Sequence, residues 1–280
     1  MSPAVPPEDA GPIAWLVTGA RGQLGGDLLA VLAGRPGDSV TAVGRAELDL
    51  TDERSVREVV RGWLAGADRR GERPVVLNAA AYTAVDAAET DEDTALVVNG
   101  RAPGWLAEEL AGRGRLVHVS TDYVFDGETS EPYPVDAPVA PRSAYGRTKA
   151  AGERAVAAAG GDATVVRTAW VYGEQGSNFV RTMAGRALDG APVSVVDDQV
   201  GSPTWAADLA AGLVALGVRP EPVPPVLHRT DAGAVSWYGL AHAVYEEVGA
   251  DPALVTPTTT AAFPRPAPRP AWSVLDGSAW

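Results

Sequence analysis

Tyr145 and Lys149 stand four residues apart, and Lys149 is the single lysine among 23 lysine and arginine residues. A composition that otherwise takes its positive charge from arginine keeps lysine where a compact ammonium on a flexible stem is needed. That group can bond two neighbouring hydroxyls and sit as a point charge beside a titrating one, which the planar arginine fork cannot do. Positions i and i+4 of a helix share a face, so the phenol and the ammonium are expected to point into one space. Thr121 closes a candidate strand in Val119-Ser120-Thr121-Asp122-Tyr123. Ligands of doubly wound sheets sit beyond the carboxyl ends of strands, so its hydroxyl should face the same space. A hydroxyl to hold a carbonyl oxygen, a phenol to pass it a proton, and an ammonium to lower the phenol's pKa from its ordinary ~10 form a recognisable set. With the lysine stem also anchoring a nicotinamide ribose, they equip a site for hydride transfer to a carbonyl with proton donation.

Such a site needs a dinucleotide cradle. Residues 13–18 read as a buried strand running into Thr18-Gly19-Ala20-Arg21-Gly22-Gln23-Leu24-Gly25, which opens a helix over 22–32. Glycines there permit a tight turn and let a pyrophosphate reach backbone N–H groups at the helix's positive end. The G-x-x-G-x-x-G spacing departs from the usual G-x-G-x-x-G, so position between first strand and first helix carries the assignment. Gly19, Gly22, Gln23, Leu24 and Gly25 are therefore candidate cofactor residues. The second strand, 39–43, is followed by Gly44-Arg45 with no acid at its end. An arginine there suits a ribose 2′-phosphate, which leans the cofactor toward NADPH with NADH still allowed. Glu47 or Asp49 could instead reach the ribose, and Asp49-Leu50 is placed to touch the adenine.

Further strands at 74–78, 115–120 and 164–167 alternate with helical patterns at 52–64, 91–111 and 143–159. This rhythm predicts an α/β fold, a doubly wound, Rossmann-like parallel sheet with helices on both faces. After Trp170 it loosens into helices at 178–188, 205–216 and 236–248 and a strand at 193–196, with proline-dense stretches at 219–225 and 263–270. The expected division is an unstructured tail over 1–12, a dinucleotide-binding domain over 13–170, and a smaller substrate-binding lobe over 171–280 partly intercalated with it. A net charge of −13 argues against nucleic-acid partners. No apolar run approaches a membrane span and no amino-terminal stretch reads as a signal peptide. Zero cysteines exclude disulfides and thiolate metal sites, and with the other features fit a cytoplasmic protein. His118, His228 and His242 have no metal-like spacing, so no metal is expected and they read as core or surface side chains.

The ordered motifs carry a resemblance. Gly22-Gln23-Leu24-Gly25, Asn78-Ala79-Ala80-Ala81-Tyr82-Thr83-Ala84-Val85-Asp86, Ser120-Thr121-Asp122-Tyr123-Val124-Phe125, the Tyr145/Lys149 pair, Arg167-Thr168-Ala169-Trp170-Val171-Tyr172-Gly173, Asn178-Phe179, Asp198-Gln199-Val200-Gly201-Ser202-Pro203-Thr204 and Arg269-Pro270 with Ser273 and Leu275 span nearly the whole chain. Together they resemble the extended short-chain dehydrogenases/reductases, and among them the dTDP-4-dehydrorhamnose reductase family. The resemblance implies reduction of a dTDP-4-keto-6-deoxysugar, with Thr121, Tyr145 and Lys149 catalytic and Ala81, Tyr82 and Thr83 lining the cofactor. Val85, Asp86, Thr121, Asp122 and Trp170 would contact the nucleotide sugar, and a homodimer is allowed. Relatives continue through a further carboxyl-terminal helix beyond the point matching Leu275-Asp276, which puts dimer contacts and any metal-bridged interface in doubt. Alternatives stay open for single residues. Asp86 and Glu89 orient sugar hydroxyls or start a solvated helix; Asn99 bonds backbone near the cofactor or caps a bend. Asn178 packs on the nucleotide with Phe179 or caps a helix. Two rival functions share the fold: a nucleotide-sugar epimerase or dehydratase, and a non-catalytic NADP-binding subunit. Dehydratases carry Thr-Asp-Glu where this chain has Thr121-Asp122-Tyr123, and a pure binding subunit need not keep the Thr/Tyr/Lys set.

Overall fold

A computed structural model of the protein describes residues 11–280. In chain order its first half comprises β1 (Ile13–Thr18), α1 (Gln23–Ala33), β2 (Ser39–Val43), α2 (Glu53–Arg70), β3 (Arg73–Asn78), the short α3 (Val85–Ala88), α4 (Glu92–Leu96), α5 (Ala102–Leu110), β4 (Arg115–Thr121), α6 (Ala144–Ala159) and β5 (Asp162–Thr168). A π-helical turn, Val97–Arg101, joins α4 to α5. The second half adds β6 (Val171–Tyr172), α7 (Phe179–Leu188), β7 (Val193–Val196), β8 (Val200–Gly201), β9 (Thr204–Trp205), α8 (Ala206–Val218), β10 (Val226–His228), β11 (Val235–Ser236), α9 (Trp237–Glu247) and β12 (Val255–Thr258).

The central sheet has six strands in the order β10-β5-β4-β3-β1-β2, and every pairing in it is parallel. Parallel neighbours need crossover helices, which bury both faces of the sheet. Strand β1 accordingly has no exposed residue. Trp15 and Val17 pack with Leu28 of α1 and Leu209 and Leu213 of α8 on one face. Ala14 and Leu16 pack with Val60 and Leu64 of α2 and Leu106 of α5 on the other. Each such aliphatic side chain contributes about 1.5–3 kcal/mol by leaving water. A smaller core unites α7, α9, β7 and β12 through Met183, Ala187, Val195, Ala241, Tyr245 and Val255.

The expected doubly wound sheet is present, with three differences from the sequence reading. Helix α2 runs to Arg70, beyond the expected 64, because Ala67 extends its buried stripe until Gly71 stops it in the left-handed conformation at φ 66°. The helix expected over 91–111 contains the π turn. The sheet gains a sixth strand, β10, directly after the proline-dense 219–225, where three residues are too few to show a period. Polar caps mark the helix starts: Asp52, Ser143, Asn178 and Ser236 each accept a backbone N–H at the start of α2, α6, α7 and α9. The tail expected over 1–12 lies outside the described residues up to residue 10, and the Pro12 carbonyl already accepts from Arg73 N. Among the described residues, no helix is long and apolar enough to cross a membrane.

Candidate active site

The carboxyl ends of β1, β2, β3, β4 and β5 open on one cleft of about 940 Å³. This is the crevice that the strand order predicts, where the sheet is wound in opposite directions from β1 and β3. At its dinucleotide end the chain leaves β1 through Gly19, whose φ of 66° is left-handed. A side chain on Gly19 would come within 2.8 Å of the Ala80 backbone, and one on Gly25 within 2.1 Å of the Gly19 carbonyl. Both positions need glycine for the turn to close. No side chain caps α1 at Gly22 and its first turn holds no acid, so its first amides and positive end face the cleft. That is the chemistry of a pyrophosphate site, and the residues present fit a dinucleotide.

Arg45 and Asp49 line the same end. Glu47, the alternative ribose ligand, is committed elsewhere: it pairs with Arg21 at 2.5 Å and accepts Gly44 N at 2.9 Å. Asp49 turns back on its own loop, accepting from Thr51 N and Oγ1 at 2.9 and 2.7 Å. These bonds, the Thr51 hydroxyl foremost, hold its carboxyl below the usual range. Among the described residues, Arg45 is in no salt bridge and lines the cleft beside Asp49.

Ala81, Tyr82 and Thr83 form the wall after β3. Asn99, at the centre of the π turn, fixes that wall: its Oδ1 accepts Tyr82 N at 2.8 Å and its Nδ2 donates to Tyr82 O at 3.1 Å. Of the two roles open to Asn99, backbone bonding beside the cleft is the one observed, and π turns recur at functional sites for such reasons.

At the reacting end, Thr121, Tyr145 and Lys149 all line the cleft. Helix α6 positions the last two one turn apart, starting from the Ser143 cap, whose hydroxyl accepts Gly146 N at 3.1 Å. Thr121 Oγ1 donates to Asp122 Oδ1 at 2.9 Å, and the Tyr145 ring meets Tyr123 edge-on at 5.5 Å. Burial pushes the Tyr145 phenol up to about 12, the Thr121 hydroxyl beside it pulls the other way, and Asp122 adds to the rise. The expected lowering of the phenol by Lys149 is therefore not what governs it in the protein alone. Lys149 is itself 2 % exposed, and burial brings its ammonium down to about 8 against the opposing pull of Glu153. Its Nζ donates to Val119 O at 2.7 Å and lies 3.3 Å from His118 Nε2.

Every residue expected in the site lines this cleft except Asp86. The Asp86 carboxylate is taken by Arg265 and Arg269, the latter at 3.0 Å, and by Ala267 N at 3.2 Å. Burial alone would raise that carboxyl, but Arg265, the Ala267 amide and Arg269 outweigh it and hold it low. Its direct contact with a sugar is therefore replaced by a tie to the 263–270 segment. Trp170 has a φ of 48°, unusual for a residue with a side chain, and stacks on Trp237 with centroids 3.5 Å apart and planes 6° from parallel. Gly201 makes room for it, since a Cβ there would sit 2.5 Å from the Trp170 ring. Trp237 also lines the cleft and escaped the sequence reading, because an aromatic at the start of an amphipathic helix reads as core.

The RmlD substrate binding domain model matches residues 14–280. The chain belongs to that family. It is 51 % identical over 268 residues to a probable dTDP-4,6-dihydroxy-2-methyloxan-3-one 4-ketoreductase of Streptomyces antibioticus, covering 95 % of this chain and 88 % of the relative. It is 48 % identical over 271 residues to the dTDP-4-dehydrorhamnose reductase of Streptomyces griseus, covering 95 % and 86 %. Among solved structures it resembles the dTDP-4-dehydrorhamnose reductase of Bacillus anthracis in complex with NADP, at a TM-score of 0.87 and 32 % identity, over 95 % of this chain and 91 % of that one.

Proposed function

We propose that this protein is an NADPH-dependent reductase of the 4-keto group of a dTDP-4-keto-6-deoxyhexose, a dTDP-4-dehydrorhamnose or a related deoxysugar of antibiotic pathways. The observation that carries the reading is the meeting of Thr121, Tyr145 and Lys149 in one cleft with an uncapped, glycine-lined helix start. The relatives named above act on dTDP-linked ketosugars, and the bacillary one binds NADP, which supports this substrate class and cofactor. Residues 13–170 serve mainly the cofactor and residues 171–280 mainly the nucleotide sugar. Gly19, Gly22, Gln23, Leu24 and Gly25 would hold the pyrophosphate, Arg45 the 2′-phosphate, and Lys149 the nicotinamide ribose.

When bound, the reduced nicotinamide supplies the hydride that becomes the new hydrogen on C4. The protein supplies the rest. Thr121 Oγ1 orients the keto oxygen, and Tyr145 gives it a proton as negative charge develops there. A phenol held at about 12 is fully protonated at neutral pH and is ready as the acid. The Lys149 ammonium, one turn away, stabilises the phenolate left behind. Trp170 and Trp237 offer an apolar wall for the sugar and base, and Asp122 contacts the sugar hydroxyls.

Tyr145→Phe keeps the ring and removes the proton. Cofactor affinity should persist while turnover with NADPH and dTDP-4-dehydrorhamnose drops by about 10²–10⁴, the usual weight of a general acid. Wild-type turnover in that variant would remove the catalytic assignment.

A further inference from the structure

His118 is completely buried, titratable, and unused in the steps above. It stands on β4 opposite Asn78 of β3, inside a chain of buried polar groups that reaches the cleft at Lys149. Thr18 Oγ1 lies 2.6 Å from Asn78 Oδ1, Asn78 Nδ2 lies 2.9 Å from His118 Nδ1, and His118 Nε2 lies 3.3 Å from Lys149 Nζ. Thr18, Asn78, His118 and Lys149 are each at most 2 % exposed. Burial keeps the imidazole neutral well below its ordinary titration range, with Lys149 adding to the effect. A neutral imidazole has one donor and one acceptor nitrogen, so the chain can be ordered in only two ways. With the Asn78 nitrogen toward Nδ1, that atom accepts, Nε2 carries the hydrogen, and Nζ must offer a lone pair. With the carboxamide turned over, its oxygen accepts from Nδ1–H, its NH2 goes to Thr18, and Nε2 accepts from an ammonium. The two ends of a carboxamide are alike in shape, so both orders fit the same heavy-atom positions.

We propose that His118 is a positioning residue for Lys149, and that the Asn78 orientation and the His118 tautomer change together with the lysine's charge. The ammonium state differs from the amine state by one proton, lost to the cleft that Lys149 lines. The imidazole is neutral in both, its hydrogen on Nδ1 in the first and on Nε2 in the second. The other charged and titratable groups around Lys149 are Tyr145 and Glu153 on its own helix, Arg167 on β5, and Asp122, Tyr82 and Asp91 around the cleft. Glu153 is paired to Arg167 at 2.8 Å and accepts from Ser120 Oγ at 2.6 Å, so those partners fix its position while its charge pulls the lysine toward the ammonium. His118 is the uncharged partner whose state remains adjustable. The role in catalysis rests on the reductase reading; the linkage itself does not.

The sequence makes the test direct. With one lysine, a protein labelled with 15N-lysine and 13C-lysine gives one side-chain signal, and with three histidines the 15N-histidine spectrum is assignable by single replacements. In the protein without substrate, Lys149 should titrate near 8, and His118 should pass from the Nδ1–H to the Nε2–H tautomer with the same midpoint. His118→Leu should move the lysine midpoint down by about one to two pH units, the weight of a lost hydrogen bond to a charged group. His118→Gln, whose Oε1 can accept in place of Nε2, should restore it. A His118 tautomer that stays fixed while Lys149 titrates overturns the proposal, as does a lysine that keeps its charge to pH 10, or equal midpoints in the leucine variant and the wild type. The tautomer measurement stands on the wild-type protein alone if His118→Leu fails to fold. Since neither readout uses turnover, failure here leaves the reductase reading to the Tyr145→Phe test.

Discussion

Asp122 is 2 % exposed, only its Oδ1 is bonded, by Thr121, and its Oδ2 has no hydrogen-bond partner. Burial pushes its carboxyl up to about 6, and nearby hydroxyls and amides pull it back only in part. The unfolded chain ionises this group near 3.8, so the folded state loses relative stability as pH rises through that window. Asp122→Asn should therefore stabilise the protein at pH 7.5 by about 1–3 kcal/mol, since one pKa unit corresponds to 1.36 kcal/mol. The gain should vanish toward pH 4, and turnover should fall on the proposal that Asp122 contacts the sugar hydroxyls. Thermal unfolding at both pH values checks this; an equal gain at both would mean the carboxylate's charge is not the cause. Local spacing made this end of the site legible, since Thr121, Asp122, Tyr145 and Lys149 lie within one strand end and one helix turn. The pairing of Asp86 was not legible: Arg269 stands in one of the motifs that carry the resemblance, but it and Arg265 lie far downstream and nothing in their spacing marks them as partners of Asp86. His118 was passed over because a histidine in an apolar strand looks like filler until its neighbours across the sheet are seen.

At the scale of elements, apolar runs revealed β1, β3, β4 and β5 because buried parallel strands read as continuous hydrophobic segments, while the edge strand β2 is exposed at alternate positions. The strand β10 was hidden by its length and by the prolines before it, and the π turn by a helical period that it interrupts by a single residue. That turn has a use. It places Asn99 so that both backbone groups of Tyr82 are satisfied, and Asn99 O approaches Gly152 so closely that a Cβ there would sit 2.1 Å away. Asn99→Ala leaves the Tyr82 N–H and C=O without partners beside the cleft. The expected cost is about 1–3 kcal/mol in stability, with cofactor affinity falling more than nucleotide-sugar affinity, as read by denaturant unfolding and by titration with each ligand. Unchanged cofactor affinity would show that the Tyr82 wall does not need this brace.

Over the whole molecule, two of the contacts that join the halves of the chain around the cleft differ in character. One is apolar: Trp170, leaving β5, stacks on Trp237 at the start of α9. The other is ionic: Asp86, in α3, holds Arg265, Arg269 and the Ala267 amide of the late proline-dense segment. Asp86 and Arg269 are mostly buried whereas Arg265 is about half exposed, at side-chain exposures of 22 %, 16 % and 49 %. Solvent still reaches all three side chains, and partly exposed pairs contribute modestly to global stability, about 0.2–1 kcal/mol each, so the clasp matters for where the segment lies more than for whether the protein folds. Its neighbour Val85 lines the cleft, while the glycine turn and Arg45 lie at the dinucleotide end. Asp86→Ala should lower the melting temperature by no more than about 2–4 °C. It should speed proteolytic cleavage within 259–270 and raise KM for the nucleotide sugar, leaving NADPH affinity near that of the wild type. Limited proteolysis, ligand titration and steady-state kinetics on one preparation separate these effects. If NADPH affinity fell in step with the sugar nucleotide, or if cleavage in 259–270 were no faster, Asp86 would not be holding that segment over the sugar end of the cleft.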